Sequence, residues 1–219
     1  MKWGVIETFF LDMDGTLLDL AYDNYFWHEH IPNLYSKIEK TTFAEAKIIL
    51  EGMYMEKKST IEWYSINYWS NILNINLKSE ILNTKDKISV LPNTIEFLKT
   101  LKKNQINTVL ITNCPREMLN IKITQSKLWG YFNKIISSHD YGYAKETENF
   151  WNILNKNIIY NKEKTFFIDD NENVLKFAEK NGIKNLISIN YPDSKKEKQI
   201  VENYTSLNNV SCFSKKFIR

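Results

Sequence analysis

Short apolar runs that end in polar residues recur along this chain, and helical patterns separate them. The runs cover residues 5–11, 108–112, 134–138, 165–169 and 186–189. Each run has the length of a buried strand, and the segments between them carry apolar residues at helical spacing, as at Ile95, Leu98 and Leu101. Strands that alternate with helices are typical of a parallel sheet covered by helices on both faces. The pattern therefore predicts an α/β fold.

The interval from residue 20 to residue 89 breaks this alternation. It has no strand pattern but contains amphipathic and aromatic-rich helical sequence, including Tyr25-Phe26-Trp27. The loop Val90–Asn93 indicates the return to the sheet, with Asn93 as the cap of the next helix. We predict two domains. Residues 1–19 and 90–219 form the sheet domain, and residues 20–89 form a smaller helical domain inserted near its start.

The composition excludes several classes of protein. Hydrophobic residues make up 43% and aromatic residues 14% of the 219 residues, which provides a full core and argues against disorder. All but Arg116 and Arg219 of the 29 basic residues are lysines and the net charge is only +3, so nucleic-acid binding is not expected. No stretch is long and apolar enough to span a membrane, and Cys114 and Cys212 form no disulfide framework. We expect a cytoplasmic protein with neither nucleic-acid nor membrane partners.

Two aspartates follow the first apolar run. Residues i and i+2 of a strand point the same way, so Asp12 and Asp14 can face one site while Gly15 lets the backbone turn. Two carboxylates on one side suit a hard cation such as Mg²⁺. They also suit a nucleophile paired with a general acid/base.

Polar residues also follow the later strands. Thr112 and Asn113 can donate hydrogen bonds to phosphate oxygens, and Lys145 near the start of a helix favours a bound anion. Asp169 and Asp170 are adjacent acids, which are costly at a strand end unless they meet a cation or stay solvated. Ligands of open α/β sheets bind at the carboxyl edge of the strands, so these groups are expected to converge there.

This ordered set of motifs resembles the haloacid dehalogenase (HAD) superfamily of phosphohydrolases over residues 6–190. The motifs are DxDGT from Asp12, a hydrophobic residue followed by Thr112-Asn113, then Lys145, and a hydrophobic residue followed by Asp169-Asp170. The resemblance implies a Rossmann-like parallel-sheet core with an inserted α-helical C1-type cap, here residues 20–89. Further segments are similar to the bacterial GMP/IMP 5′-nucleotidase group, namely residues 23–27, 63–69, 137–140, 150–151 and 191–194.

The resemblance also implies catalytic roles. Asp12 would be the nucleophile that forms an aspartyl-phosphate. Asp14 would protonate the leaving oxygen and then activate the water that hydrolyses the intermediate. Lys145 would neutralise Asp12 and the phosphoryl group. Positioning and charge neutralisation are what phosphoryl transfer requires.

Binding roles follow from the same resemblance. Thr112 and the amide of Asn113 would hold the phosphate together with Lys145. Mg²⁺ is the implied cofactor, with Asp170 as a direct ligand, Asp169 ordering its water, and Asp14 contributing its backbone carbonyl. The implied metal-site residues are four acids: Asp12, Asp14, Asp169 and Asp170.

The implied function is a Mg²⁺-dependent phosphomonoesterase acting on a small phosphate ester, most simply a purine nucleoside 5′-monophosphate. A sugar-phosphate phosphatase or phosphomutase of the same superfamily is the alternative. A dehalogenase is disfavoured because it has no use for the acid/base that Asp14 supplies. A phosphonatase requires a cap lysine that forms a Schiff base, for which Lys47, Lys57 and Lys58 are available.

Two hypotheses come from outside the enzymes. A phospho-accepting receiver module also uses acids, a threonine and a lysine on a parallel sheet, but its acid pair belongs to the first strand, whereas the pair Asp169-Asp170 comes last here. A non-catalytic binding module is disfavoured because every catalytic residue type is present. The sequence does not indicate the oligomeric state, and the lysine-rich segment after Asp193 carries no motif.

The aromatic residues of residues 20–89 are mostly expected in the core. One or two of them, from the set Tyr25, Trp27, Tyr64 and Trp69, are candidates to face the cleft and stack on a base. The histidines His28, His30 and His139 are not expected to bind metal, because the other ligands of a zinc site are missing. Cys114 is interpreted as a small neutral spacer, since no histidine base is evident for it.

Overall fold

The computed structural model describes residues 6–213 and contains all five predicted strands. Val5, at the start of the first predicted strand, lies outside the described residues. A sixth strand near the C-terminal end was not predicted. The strands are β1 (Thr8–Leu11), β2 (Asn107–Thr112), β3 (Lys134–Ser137), β4 (Thr165–Asp169), β5 (Asn185–Ile189) and β6 (Thr205–Leu207).

The strands form one parallel sheet in the order β3-β2-β1-β4-β5-β6. β1 is central, with Leu11 opposite Leu110 of β2 and Ile168 of β4. Side chains alternate between the faces, so Phe9 packs in one core cluster and Phe10 in the other. The register places the carboxyl ends of β1, β2 and β4 side by side, which confirms the predicted α/β parallel sheet.

Helices connect the strands. Seven of the ten α-helices given below lie between β1 and β2, six of them within residues 20–89, and the other three connect the later strands. The helices are α1 (Ala21–Tyr25), α2 (Ile31–Ile38), α3 (Phe43–Lys57), α4 (Ile61–Tyr64), α5 (Ile66–Leu73), α6 (Leu77–Thr84), α7 (Thr94–Lys103), α8 (Arg116–Ser126), α9 (Glu148–Asn157) and α10 (Glu172–Lys180). A π-helical segment, Phe26–His30, joins α1 to α2.

The whole interval of residues 20–89 is described and contains no strand, as predicted. The chain leaves and re-enters the sheet region along two adjacent segments. The Asp19 amide donates to the Ser89 carbonyl oxygen at 2.9 Å, and the Leu91 amide donates to the Leu17 carbonyl oxygen at 2.9 Å. A paired exit and return is what an insertion requires, and the division into domains at residues 19/20 and 89/90 stays a prediction.

Asn93 precedes α7 as predicted, but its side chain does not cap the helix. Its backbone has φ 60°, in the left-handed region, and its side-chain amide donates to Ser211 Oγ at 3.4 Å instead of accepting from the first turn. An N-cap side chain reaches the helix amides from an extended backbone, which explains the difference. The capping prediction was therefore wrong.

The segment after residue 193 has a structural role that the sequence did not indicate. β6 adds to the edge of the sheet beside β5. The Gln199 side-chain amide donates to the carbonyl oxygens of Asp170 and Ile189, at 3.0 and 2.6 Å. The C-terminal segment therefore supports the loop that follows β4. Among residues 6–213 no helix is both long and apolar enough to cross a membrane.

Candidate active site

The loop after β1 brings two aspartates to the carboxyl edge of the sheet. The Asp12 amide continues the ladder by donating to the Ile168 carbonyl oxygen at 3.0 Å, and the Asp12 side chain is buried. The chain then turns at Gly15, whose φ is +84°. Alanine there would place its Cβ 2.6 Å from Cγ of Asp170, so the carboxylate of Asp170 packs directly against the glycine backbone.

Lys145 bridges two acids at the carboxyl ends of β1 and β4. Its Nζ lies 2.5 Å from Asp12 Oδ1 and 2.7 Å from Asp169 Oδ2, and it also donates to the Ile111 carbonyl oxygen at 3.3 Å. The lysine is only 2% exposed. Burial alone would lower the pKa of Lys145, but the charges of Asp12 and Asp169 raise it overall, so the side chain is an ammonium.

Asp12, Asp169 and Asp170 form a compact acidic cluster, with one carboxylate oxygen from each lying within 4.8 Å of the others. Asp169 is already held by Lys145 and by the amide of Asn171 at 2.9 Å, whereas Asp170 forms no ion pair within residues 6–213. Burial first, and then the charge of Asp169, raises the pKa of Asp170 to about 8. Two buried carboxyls and a partly buried one share a single ammonium. A divalent cation would balance their ionised forms, and oxygen donors are those that Mg²⁺ prefers. The cluster therefore fits a magnesium ion.

Gly15 provides a direct check on this fit. We expect Gly15→Ala to destabilise the fold by about 1 to 2 kcal/mol, because alanine is strained at positive φ. The new Cβ would also displace the carboxylate of Asp170, so calorimetric titration should find magnesium binding at least tenfold weaker. Gly130 has the same φ of +84° and open space around its Cα, so Gly130→Ala should show the strain in urea unfolding without the loss of magnesium binding. Equal magnesium affinities in the two variants would contradict the assignment of Asp170.

The carboxylate of Asp14 lies outside the acidic cluster and has a different partner. Nζ of Lys122 donates to Asp14 Oδ1 at 2.7 Å and to both carboxylate oxygens of Asp23, at 2.7 and 2.8 Å. Lys122 and Asp23 were not predicted to be site residues. Lys122 follows the buried Met118 by four positions on α8, so both lie on the same buried face of the helix. A lysine on an apolar helix face was the sequence signal that could have identified it. The predicted metal contact through the Asp14 backbone carbonyl stays a prediction.

Thr112 and Asn113 lie at the end of β2 beside this cluster, as predicted. Thr112 Oγ1 accepts from the Cys114 amide at 3.0 Å, and Asn113 Oδ1 accepts from the Lys145 amide at 2.9 Å. The side-chain amide of Asn113 donates to Glu146 Oε2 at 2.8 Å. The Asn113 side chain therefore fixes the loop that carries Lys145, which leaves the Thr112 hydroxyl hydrogen and the backbone amides for a ligand.

Glu146 is a third residue at the site that the sequence did not reveal. Its Oε1 accepts from the Tyr64 hydroxyl at 2.5 Å and from the Asn171 side chain at 3.3 Å, in addition to the contact with Asn113. Its carboxylate thus links α4 with the loops that follow β2 and β4. In the sequence, only the position of Glu146 directly after Lys145 could have indicated that it lies at the site.

A cleft of about 320 Å³ lies between these loops and the helices of residues 20–89. Its base contains the three acids of the cluster, Lys145 and Thr112. Of the four aromatic candidates three line the cleft, while Tyr25 packs against His30 and under the Lys87 ammonium. The aromatic residues that line it are Trp27, Tyr54, Trp63, Tyr64 and Trp69. The cleft therefore combines an acidic base with an aromatic wall.

The histidines and Cys114 lie outside the acidic cluster. His30 pairs with Glu80 at 2.8 Å, and the His139 amide donates to Ser137 Oγ in a tight turn at 3.3 Å. His28 lines the cleft but lies outside the acidic cluster. Burial raises the pKa of the Cys114 thiol well above its usual value, so it stays neutral.

Comparison with known proteins agrees with this geometry. The chain is 32% identical over 208 residues to the GMP/IMP nucleotidase YrfG of Escherichia coli, covering 95% of this chain and 94% of that protein. In fold it is similar to a HAD phosphatase from Thermococcus onnurineus, with a TM-score of 0.80, 16% identity and coverage of 96% and 97% of the two chains. It is also similar to the HAD-hydrolase YfnB from Bacillus subtilis, described as bound to magnesium, with a TM-score of 0.67, 17% identity and the same coverage. The model of the haloacid dehalogenase-like hydrolase family matches residues 9–187. The chain therefore belongs to the haloacid dehalogenase-like hydrolase family.

Proposed function

We propose that this hydrolase is a Mg²⁺-dependent phosphomonoesterase that acts on purine nucleoside 5′-monophosphates through an aspartyl-phosphate. One observation carries the proposal: Asp12 lies at the base of an aromatic-walled cleft, paired with the Lys145 ammonium and next to Asp169 and Asp170. A nucleophile, a fixed cation and an acidic metal site within one cleft are the parts that phosphoryl transfer needs.

The first step forms a bond between the Asp12 carboxylate and phosphorus while the bond from phosphorus to the ester oxygen breaks. Asp14 gives its proton to that oxygen, so the alcohol leaves neutral. Lys145 stabilises the charge on the transferring phosphoryl group, and the Thr112 hydroxyl and the backbone amide of Asn113 orient it. The product on the protein is an aspartyl-phosphate at Asp12.

The second step releases inorganic phosphate. Asp14, now a carboxylate, takes a proton from a water molecule whose oxygen attacks phosphorus, and the bond between phosphorus and Asp12 breaks. Asp14 is then protonated and Asp12 is a free carboxylate, as at the start. Mg²⁺ would be held by Asp12, Asp170 and the backbone carbonyl of Asp14, with Asp169 beside them. When bound it supplies positive charge opposite the phosphate oxygens.

The aromatic wall supports a nucleotide as substrate. Trp27, Tyr54 and Trp69 pack edge to face around one part of the cleft, with ring centroids 5.0 to 6.5 Å apart. The buried Tyr54 hydroxyl has no hydrogen-bond partner within residues 6–213, so it is available to a polar edge of a base. Aromatic faces stack on nucleobases. The name of the Escherichia coli relative points to the same class of substrate.

We also propose that residues 20–89 act as a cap over the sheet domain, which would exclude water from the cleft. The cytoplasmic location expected from the composition stays a prediction. A phosphonatase is not supported, because Lys47, Lys57 and Lys58 do not line the cleft beside Asp12. The aromatic wall also favours a nucleotide over a hexose phosphate, since only the nucleotide has a planar base that can stack face to face on an aromatic ring.

A substrate panel tests the proposal. We expect purified protein to release phosphate from GMP and IMP in the presence of Mg²⁺ and to lose this activity in EDTA. AMP, glucose 6-phosphate and ribose 5-phosphate should be hydrolysed at least tenfold less efficiently, measured as kcat/KM with a coupled phosphate assay. Preference for a hexose phosphate would overturn the choice of substrate, and no turnover of any ester would overturn the reaction itself.

A further inference from the structure

Lys122 is a fully buried ammonium that the proposed reaction does not use. It is 1% exposed and lies between two acids from different parts of the chain. Asp14 follows β1, whereas Asp23 is on α1, three residues into the interval of residues 20–89. The other groups that face it are the Tyr22 ring, with its centroid 5.7 Å from Nζ, and the neutral Cys114 thiol.

This arrangement is costly unless both acids are present. Removing an ammonium from water costs several kcal/mol, which only well-placed opposite charges offset. Lys122 donates one hydrogen bond to Asp14 and reaches both oxygens of Asp23. An apolar side chain at this position would pack beside Met118 and Leu119 without a desolvation cost. The packing of α8 therefore does not require a charged residue at position 122. The contacts with Asp14 and Asp23 do require one.

The contact has a specific consequence for Asp14. Lys122 engages Oδ1, and Oδ2 of Asp14 makes no hydrogen bond within residues 6–213. Fixing one carboxylate oxygen leaves the other available to a ligand in the cleft that Asp14 lines. A carboxyl group that exchanges a proton with substrate must be held within hydrogen-bond distance of the reacting oxygen, so its orientation limits the rate.

We infer that Lys122 is a positioning residue that orients Asp14 for proton transfer, and that Asp23 makes this orientation depend on the seating of α1. The inference rests on the proposed function, since it assigns a role within that reaction. Lys122 remains an ammonium throughout and exchanges no proton with the substrate. Asp23 on α1 completes the set of hydrogen bonds on Lys122, so the position of α1 and the orientation of Asp14 are linked through one ammonium.

Two phosphate esters separate this role from a structural one. The ester oxygen of GMP must be protonated as it leaves, whereas the phenolate of p-nitrophenyl phosphate leaves without a proton. We expect Lys122→Met to lower kcat/KM for GMP about 10²-fold and to leave kcat/KM for p-nitrophenyl phosphate nearly unchanged. With p-nitrophenyl phosphate the variant should release one equivalent of p-nitrophenol in a burst, because hydrolysis of the intermediate still requires Asp14.

Asp23 provides the second arm. Asp23→Asn should lower kcat/KM for GMP about 10-fold and leave kcat/KM for p-nitrophenyl phosphate nearly unchanged. The double variant should lose no more activity on GMP than Lys122→Met alone, because both changes act through Lys122. Lys122→Arg should recover part of the activity on GMP. Lys176, an exposed lysine on α10, is the matched control, and Lys176→Met should behave as the wild type.

Each outcome decides a different point. Equal losses on the two esters, or additive losses in the double variant, would overturn the inference while the proposed reaction stands. If Lys122→Met does not fold, Asp23→Asn decides alone by the same comparison of esters. A wild-type protein that hydrolyses neither ester would instead overturn the proposed function.

Discussion

Replacing Asp12 with asparagine is expected to abolish turnover, lowering kcat for GMP by about 10⁴-fold or more. The amide has nearly the shape of the carboxylate but cannot attack phosphorus, so no aspartyl-phosphate forms. The substitution also removes one of the three acids of the cluster. Phosphate release and trapping of radiolabelled phosphate on the denatured protein measure the two effects separately.

The fold should survive this change. Asp12→Asn leaves Lys145 with its contact to Asp169, so thermal unfolding should remain cooperative. Asp86, an exposed acid in the 3₁₀ turn after α6, is the matched control, and Asp86→Asn should retain full activity. Turnover by folded Asp12→Asn at more than a hundredth of the wild-type rate would contradict Asp12 as the nucleophile.

Removal of the Lys145 ammonium should reduce both activity and stability. We expect Lys145→Met to lower kcat/KM for GMP about 10³-fold, because a preorganised cation that faces the phosphoryl group is lost. In EDTA the free energy of unfolding should fall by about 3 to 5 kcal/mol, because Asp12 and Asp169 are left buried without their partner. Urea unfolding monitored by tryptophan fluorescence measures the loss.

Magnesium should restore part of that stability but little of the activity. A divalent cation at the acidic cluster binds the folded state and offsets the excess negative charge, so the gain in unfolding free energy on adding Mg²⁺ should be larger for Lys145→Met than for the wild type. Lys164 lies on the surface and pairs with Glu7, so Lys164→Met serves as the control. An unchanged response to Mg²⁺ would argue that the metal binds elsewhere.

The sequence was sufficient to predict the sheet and which polar residues come together at its carboxyl edge. Parallel strands that end in polar residues bring those residues together at one edge, and the register of Leu11 with Leu110 and Ile168 does so here. Asp12, Lys145 and the pair Asp169-Asp170 meet as the motif order predicted. Their placement depends on backbone topology, which apolar periodicity reports well.

The contacts that were missed depend on side chains that meet across long separations in the chain. Lys122 and Asp14 are 108 positions apart, and Tyr64 and Glu146 are 82 apart. Nothing local distinguishes Lys122 from the other lysines of this lysine-rich chain except its position on a buried helix face. β6 was missed for another reason: a strand of three residues has too few positions to show alternation.

The central position of β1 has a consequence for synthesis on the ribosome. β1 is made first, but its two partners in the sheet begin only at Asn107 and Thr165. At typical translation rates roughly a hundred residues take about 5 to 20 s. During that time the helices of residues 20–89 can form through local contacts, which are fast, while the apolar strand that carries Asp12 stays without neighbours. The nascent chain is therefore expected to be most vulnerable to aggregation before β2 emerges.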